Sequence, residues 1–132
     1  MAQQPLELIL TRQLASYLAT PMFLVGAEGQ LLFYNESAEE LLGYRFDEAL
    51  ELPLGEWIAA FPLYSVTSGR SLSMDEFPLV AALRERRPVQ GSIAYQRPDG
   101  GRVTVVGTAT PLIGQGGTML GAVAIFWEEA AG

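Results

Sequence analysis

The chain has 132 residues, 49% of them hydrophobic, which suits one domain with a single core. It contains no cysteine and no histidine, which excludes disulfides, thiolate nucleophiles and the commonest protein ligands of zinc and haem iron. The net charge of −7 argues against nucleic acid and against anionic membranes as partners. No apolar run has the length of a membrane span and no signal peptide is recognisable, so we expect a cytoplasmic protein.

The first 20 residues predict an amphipathic helix. Six residues recur at three- and four-residue spacing and form one apolar stripe: Leu6, Ile9, Leu10, Leu14, Tyr17 and Leu18. The helix is predicted to end before Pro21, because the residue preceding a proline avoids the helical conformation. The stripe needs cover, either from the outer face of a sheet or from the same helix of a second chain.

Residues 22–25 and 31–34 are short apolar runs joined by a glycine-containing turn, and they predict a β-hairpin. Asn35 is predicted to cap a short helix that ends near residue 42, because its side-chain oxygen can accept a hydrogen bond from a first-turn amide. Residues 46–50 and 56–60 carry weaker helical patterns. Residues 61–72 are rich in Ser, Gly and Pro and predict a loop.

The second half begins with a capping box at residues 73–76, followed by a helix over residues 78–86 with Pro78 in its first turn. The pattern leaves open whether residues 74–77 join that helix or form a separate turn. Strands are predicted at 89–96, 102–112 and 120–127, with turns between them. The element order predicts an α+β domain with a five-stranded antiparallel sheet and short helices on one face.

Several short segments, in this order along the chain, resemble the PAS domain family. They are Thr-Pro-Met-Phe-Leu-Val at 20–25, Leu-Phe-Tyr-Asn at 32–35, Ala-Glu-Glu-Leu-Leu-Gly-Tyr at 38–44, and the segments 77–84, 97–100, 109–113 and 121–126. The resemblance implies a PAS-like domain at 21–128, preceded by the N-terminal helix at 1–20 and followed by a tail at 129–132. It also implies a signalling sensor that binds a small molecule noncovalently, mediates dimerisation and protein interaction, or does both.

The chain departs from the family at positions that carry cofactor chemistry. Haem-binding members use a histidine near the helix predicted at 78–86, and blue-light flavin members use a cysteine in the early helical region. Neither residue type is present, which excludes haem by histidine ligation and covalent flavin and leaves the cofactor unknown. The chain has Trp127-Glu128-Glu129 where relatives often carry an Asp-Ile-Thr-like segment before an effector helix. We therefore expect a stand-alone signalling domain.

Six aromatic side chains are the candidate walls of a ligand pocket, although each is also a plausible core residue: Trp57, Phe61, Phe77, Tyr95, Phe126 and Trp127. No catalytic residue is identified, because the serines have no histidine or lysine to activate them, and we expect no enzyme. The carboxylates follow no metal-binding loop pattern, so no metal site is predicted. A small isomerase or hydrolase is the remotest alternative.

PAS-like domains commonly dimerise through an N-terminal helix. We therefore predict a homodimer that uses Leu6, Ile9, Leu10, Leu14 and the outer face of the sheet, with a separate signalling protein as a further partner. Two functions remain open from the sequence: a sensor with an apolar cavity, and a ligand-free interaction module whose core is filled.

Overall fold

The structure is a computed structural model, and it describes residues 6–15, 18–43 and 52–128. Its helices are α1 (Leu6–Ala15), α2 (Glu36–Leu42), α3 (Leu54–Ala60) and α4 (Pro78–Glu85). Its strands are β1 (Met22–Gly26), β2 (Leu31–Tyr34), β3 (Leu63–Tyr64), β4 (Val89–Gln96), β5 (Arg102–Ile113) and β6 (Met119–Glu128). The helical pattern at 46–50 and the tail at 129–132 lie outside the described residues. No helix in the described ranges is long and apolar enough to cross a membrane.

The strands form one antiparallel sheet in the order β2-β1-β6-β5-β4-β3. Pairing of β1 with β6 joins the two ends of the domain and sets Leu24 opposite Val123. The predicted α+β antiparallel architecture is confirmed, but the sheet has six strands rather than five. The extra strand is β3, which pairs with Ala94 and Tyr95 from within the predicted loop. Two paired residues are too few to produce a detectable alternation in the sequence.

The two faces of the sheet carry different cores. The inner face packs against α2, α3 and α4 and contributes buried residues such as Val25, Ala109 and Ala124. The outer face carries a second cluster, in which Leu8 of α1 packs with Met22, Leu24, Leu32 and Phe33. Alternation along β1 produces this division, because successive side chains of a strand point to opposite faces. In β2 the neighbours Leu32 and Phe33 both belong to the outer cluster.

Helix α1 meets the sheet with the side opposite to the predicted stripe. Leu8 is only 2% exposed, whereas Leu6, Leu10 and Leu14 are each more than half exposed and Ile9 is 37% exposed. Within one chain these four members of the stripe therefore do not cover the sheet, whereas Leu18 packs against the outer cluster. Thr11 and Arg12 follow Leu8 at three- and four-residue spacing, so Leu8 is not part of an apolar periodicity.

The sequence signals for the starts of the helices agree with the structure. The buried side chain of Asn35 accepts hydrogen bonds from the Ala38 amide at 3.0 Å and the Met22 amide at 3.1 Å, and its amide group donates to the Thr20 carbonyl at 2.9 Å. It therefore caps α2 and fixes the start of β1 as well. Residues 74–76 form a separate 3-10 turn with the predicted capping box, and Pro78 begins α4.

Candidate functional site

An apolar cavity lies between the inner face of the sheet and the helices α2, α3 and α4. Its volume is about 70 Å³. Its walls are carbon-rich side chains from both layers: Phe23, Leu31, Leu41, Leu42, Trp57, Phe61, Leu63, Phe77, Pro78, Leu79, Ile93, Tyr95, Val105 and Phe126. The cavity is smaller than the roughly 150 Å³ that encloses benzene in an engineered apolar core, and much smaller than the roughly 300–1,000 Å³ of drug-sized pockets.

The structure places five of the six candidate aromatic residues around this cavity and one elsewhere. Trp57, Phe61, Phe77, Tyr95 and Phe126 all contribute to the wall. Trp127 does not. Because neighbouring residues of a strand point to opposite faces, the inward direction of Phe126 turns Trp127 outward.

Trp127 lies on the outer face of the sheet, opposite Val106 of β5, and is 46% exposed. It borders an open surface cleft together with Pro21, Arg97 and Glu128. The prediction that Trp127 lines the inner pocket is therefore wrong, because the nearly continuous apolar run of β6 concealed which residues point inward.

Trp57 ties the helical layer to the first hairpin. Its indole Nε1 donates a hydrogen bond of 2.7 Å to the carbonyl of Gly29, which lies in the β1–β2 turn. Its ring meets Phe77 in an edge-to-face contact with a centroid separation of 5.8 Å. The polar end of the indole is thus used inside the protein, and the carbon surface of the ring faces the cavity.

Tyr95 and Arg97 hold the other side of the cavity. The Tyr95 hydroxyl donates to the Leu42 carbonyl at 3.1 Å, and the Arg97 Nε donates to the Leu41 carbonyl at 2.8 Å. These bonds satisfy carbonyls at the C-terminal end of α2, which would otherwise have no intrahelical partner. Within the described chain, every buried side-chain nitrogen and oxygen has a hydrogen-bond partner.

The ring of Phe126, in β6, lies close against β5 because the residue opposite it is Gly107. A Cβ at position 107 would overlap the Phe126 ring and the Ile125 carbonyl. Phe126 also meets Phe23 edge to face at 5.8 Å, and Phe23 contacts Tyr34 at 5.6 Å. Phe23 was not among the wall residues predicted from the sequence. The alternation with Val25 along β1 was the signal that could have identified it.

The aliphatic part of the wall was also missed. Ile93 and Val105 are cross-strand neighbours on the inner face, and Leu31 and Leu41 close the cavity from the hairpin and α2. Ile93 alternates with Tyr95 in β4, so a strict two-residue period starting from Tyr95 would have found it. Leu41 carries no such signal, since its inward direction depends on how α2 packs.

The cavity offers binding space and no reactive group. The carboxyl group of Glu76 lies on the surface, outside the cavity. Hydrogen bonds from Arg70, and smaller contributions from the backbone and hydroxyl of Ser73, lower its pKa to about 2. No cluster of acidic side chains in the described ranges is arranged to hold a metal ion.

Comparison with known proteins agrees with this architecture. A family model described as a PAS domain matches residues 19–128. No curated protein matches the chain. The fold is similar to the PAS domain of a Colwellia psychrerythraea protein, with 18% identity, a TM-score of 0.60, and coverage of 92% of this chain and 97% of that one.

Two further solved structures are similar to the chain. The PAS domain of BvgS from Bordetella pertussis shares 18% identity with a TM-score of 0.61, over 95% of this chain and 87% of that one. A LOV protein of Rhodobacter sphaeroides shares 13% identity with a TM-score of 0.65, over 90% of this chain and 65% of that one. Identities this low show the fold alone.

Proposed function

The chain belongs to the PAS domain family, and from that premise we propose that it is a sensor domain that binds a small apolar molecule in its inner cavity. The observation that carries the proposal is the chemistry of the wall. The polar tips of Trp57 and Tyr95 are both bonded to backbone carbonyls, so the cavity presents carbon to a guest. Such a surface favours uncharged molecules smaller than benzene.

Binding produces a signal only when one arrangement of the helices binds the guest better than another. The cavity lies between two layers that are joined by specific bonds, from Trp57 to Gly29 and from Tyr95 to Leu42. A guest that fills the space stabilises the arrangement in which both bonds are made. The proposed output is a shift of population in α2 and α3 relative to the sheet.

Dichloromethane at millimolar concentration is a suitable probe of the cavity, with the unfolding temperature as the readout. We expect it to raise the unfolding temperature of the native chain, because a ligand that binds the folded state stabilises that state. Val105→Phe fills the cavity from β5 and should abolish the rise. Val106→Phe is the matched control, because the next residue of the same strand points to the outer face. An equal rise in both variants would contradict the proposal.

We also propose that the exposed stripe of α1 (Leu6, Ile9, Leu10 and Leu14) forms the interface of a homodimer. Its four members lie on the side of the helix opposite to the buried Leu8, and their exposure leaves a continuous apolar surface on the outside of the domain. Apolar surface of this kind commonly marks an interaction site.

A cytoplasmic location, a separate signalling partner and the absence of a nucleic-acid partner remain predictions.

Light scattering tests the homodimer. The native chain should have the mass of a dimer at tens of micromolar, and the double variant Leu10→Glu and Leu14→Glu should have the mass of a monomer. Gln115→Glu adds an acidic charge at an exposed position far along the chain and should remain dimeric. A native chain that is monomeric at that concentration would remove this part of the proposal.

A further inference from the structure

A surface groove of about 220 Å³ lies directly beside the inner cavity. One of its sides is β4, through residues 89–93, and the other includes Arg70, Leu72, Glu76 and Pro78. Pro78 and Ile93 line both the groove and the cavity. The two spaces are therefore separated there by a single layer of side chains, which comes from two different elements. Both residues are buried, so the passage between them is closed in this structure.

The segment 70–76, which we call the lid, borders the groove opposite β4. Arg70 donates two hydrogen bonds, of 3.0 and 2.8 Å, to the carboxylate of Glu76, so the pair joins the two ends of the lid. Both side chains are exposed, and exposed ion pairs of this kind contribute little to stability. The pair is therefore a weak fastening that opens and closes at low cost.

The bonds that hold the lid to the rest of the domain avoid β4. The Leu72 amide donates to the carbonyl of Leu63, a wall residue of the cavity, at 2.8 Å, and Asp75 pairs with Arg84 of α4. Among the described residues, no hydrogen bond or ion pair joins the lid to residues 89–93. Movement of the lid away from β4 thus breaks no polar contact between them.

The boundary between the groove and the cavity is apolar on both sides. Leu72 and Val89 adjoin Pro78 and Ile93 in the groove, and the cavity beyond them is lined by carbon. Gly91 lies on the same face of β4 as Ile93, and a Cβ built at its position would meet nothing within 4 Å. The missing side chain leaves the groove open next to the boundary, which suits the passage of an uncharged molecule.

The cleft at Trp127 is a less suitable way into the cavity. Among its described wall residues, Leu41 is the only one that also lines the cavity. Leu41 belongs to the last turn of α2, whose carbonyls accept hydrogen bonds of 2.8 Å from Arg97 and 3.1 Å from Tyr95. Passage at this place would displace a helix end that both bonds hold.

We propose that the guest of the inner cavity enters and leaves through the groove, between Pro78 and Ile93, and that the lid controls how fast it does so. The proposal rests on the proposed binding function and adds the route and the residues that regulate it. Because the ion pair of the lid lies outside the cavity, it changes the rates of entry and exit by the same factor and leaves the Kd unchanged.

The test uses the full chain with dichloromethane as the probe. Titration followed by methyl NMR gives the Kd, and relaxation dispersion near half saturation gives the exchange rate. Gly91→Phe places a ring in the groove without altering a wall residue of the cavity, and it should slow exchange about tenfold with an unchanged Kd. Ser37→Phe is the matched control, because it places the same ring in the cleft at Trp127 and should change neither quantity.

A second pair of variants tests the lid. Glu76→Gln removes the charge that holds Arg70 and should speed exchange about threefold, again with an unchanged Kd. Glu85→Gln is its control, because it breaks an exposed pair with Arg87 outside the lid and should leave the rate unchanged. Raising the salt concentration should speed exchange in the native chain more than in Glu76→Gln.

The results separate the route from the binding function. An unchanged exchange rate in folded Gly91→Phe would overturn the route, and so would slower exchange in Ser37→Phe. If Gly91→Phe does not fold, Glu76→Gln decides, and an unchanged rate in that surface variant overturns the proposal. A native chain that binds no dichloromethane would contradict the binding function and the route together, whereas binding at rates that no groove or lid variant alters would contradict the route alone.

Discussion

The inner and outer faces of the sheet are completed in different ways. On the inner face, an apolar cavity lies between two layers, and the polar tips of Trp57 and Tyr95 are bonded within the domain. On the outer face, a single helix makes its buried contact through Leu8 and leaves its apolar stripe exposed. The inner face is therefore completed within one chain, whereas the outer face has apolar surface that one chain does not cover. This difference is why we assign ligand binding to the former and association to the latter.

The largest expected effect lies on the inner face, at the closest approach between neighbouring strands. Gly107→Val places a side chain where the Phe126 ring and the Ile125 carbonyl already lie. We expect a loss of about 3 kcal/mol in the free energy of unfolding, measured by urea denaturation, because a packed strand cannot move aside. Gly91→Val is the matched control, since Gly91 pairs with Gly107 across β4 and β5 but has open space. Equal losses would show that strand pairing, and not packing, sets the cost.

The two sides of α1 provide the second comparison. Leu8→Ala should lower the free energy of unfolding by about 2 kcal/mol, because it removes buried carbon from the outer cluster. Leu10→Ala should change it by less than about 0.5 kcal/mol in a sample dilute enough to be monomeric, since its side chain is 53% exposed. Thermal denaturation followed by circular dichroism measures both. Similar losses would mean that α1 lies differently on the sheet.

Trp57 lies at the inner cavity and Trp127 on the outer face, so substitutions of the two tryptophans compare the two faces. Trp57→Phe keeps an aromatic ring but leaves the buried Gly29 carbonyl without its donor, so we expect a loss of about 1.5 kcal/mol in the free energy of unfolding. Trp127→Phe should alter stability by less than about 0.5 kcal/mol, because its side chain is half exposed. Urea denaturation distinguishes them. A larger loss at Trp127 would place that ring in the core.

The smallest effect concerns the exposed ion pair beside the sheet edge. Because the pKa of Glu76 is lowered to about 2 in the folded chain, its carboxylate stabilises the fold above its usual pKa of 4.5. That contribution is lost as the pH falls from about 4.5 through about 2. Comparing the native chain with Glu76→Gln across this range should show a difference at pH 6 that narrows towards pH 2. A constant difference would contradict the assigned titration.

The sequence predicted those features that depend on local signals. The cap at Asn35, the capping box at Ser73 and the hairpins all follow from short-range chemistry, and the structure contains each of them. The antiparallel α+β architecture followed from the order of these elements. Five of the six proposed wall residues lie around the cavity because large aromatic side chains in strands and short helices commonly point inward.

Features that depend on tertiary packing were not accessible in this way. Strand β6 is apolar on both faces, so its sequence did not distinguish the inward Phe126 from the outward Trp127. Leu8 is not part of the apolar stripe of α1, and its burial depends on the position of the helix against the sheet. The close approach of the Phe126 ring to Gly107 depends on the pairing of β5 with β6, which no sequence pattern reports.

Methyl NMR under xenon pressure tests the central claim, that the inner face carries an apolar binding cavity and the outer face does not. Xenon binds apolar cavities too small for larger guests. The account predicts saturable shifts in the methyl groups of Leu31, Ile93 and Val105, and only weak, linear shifts at Leu10 and Ile113 on the outside. Inner methyl groups that do not respond would contradict it, and the domain would then be an interaction module with a filled core.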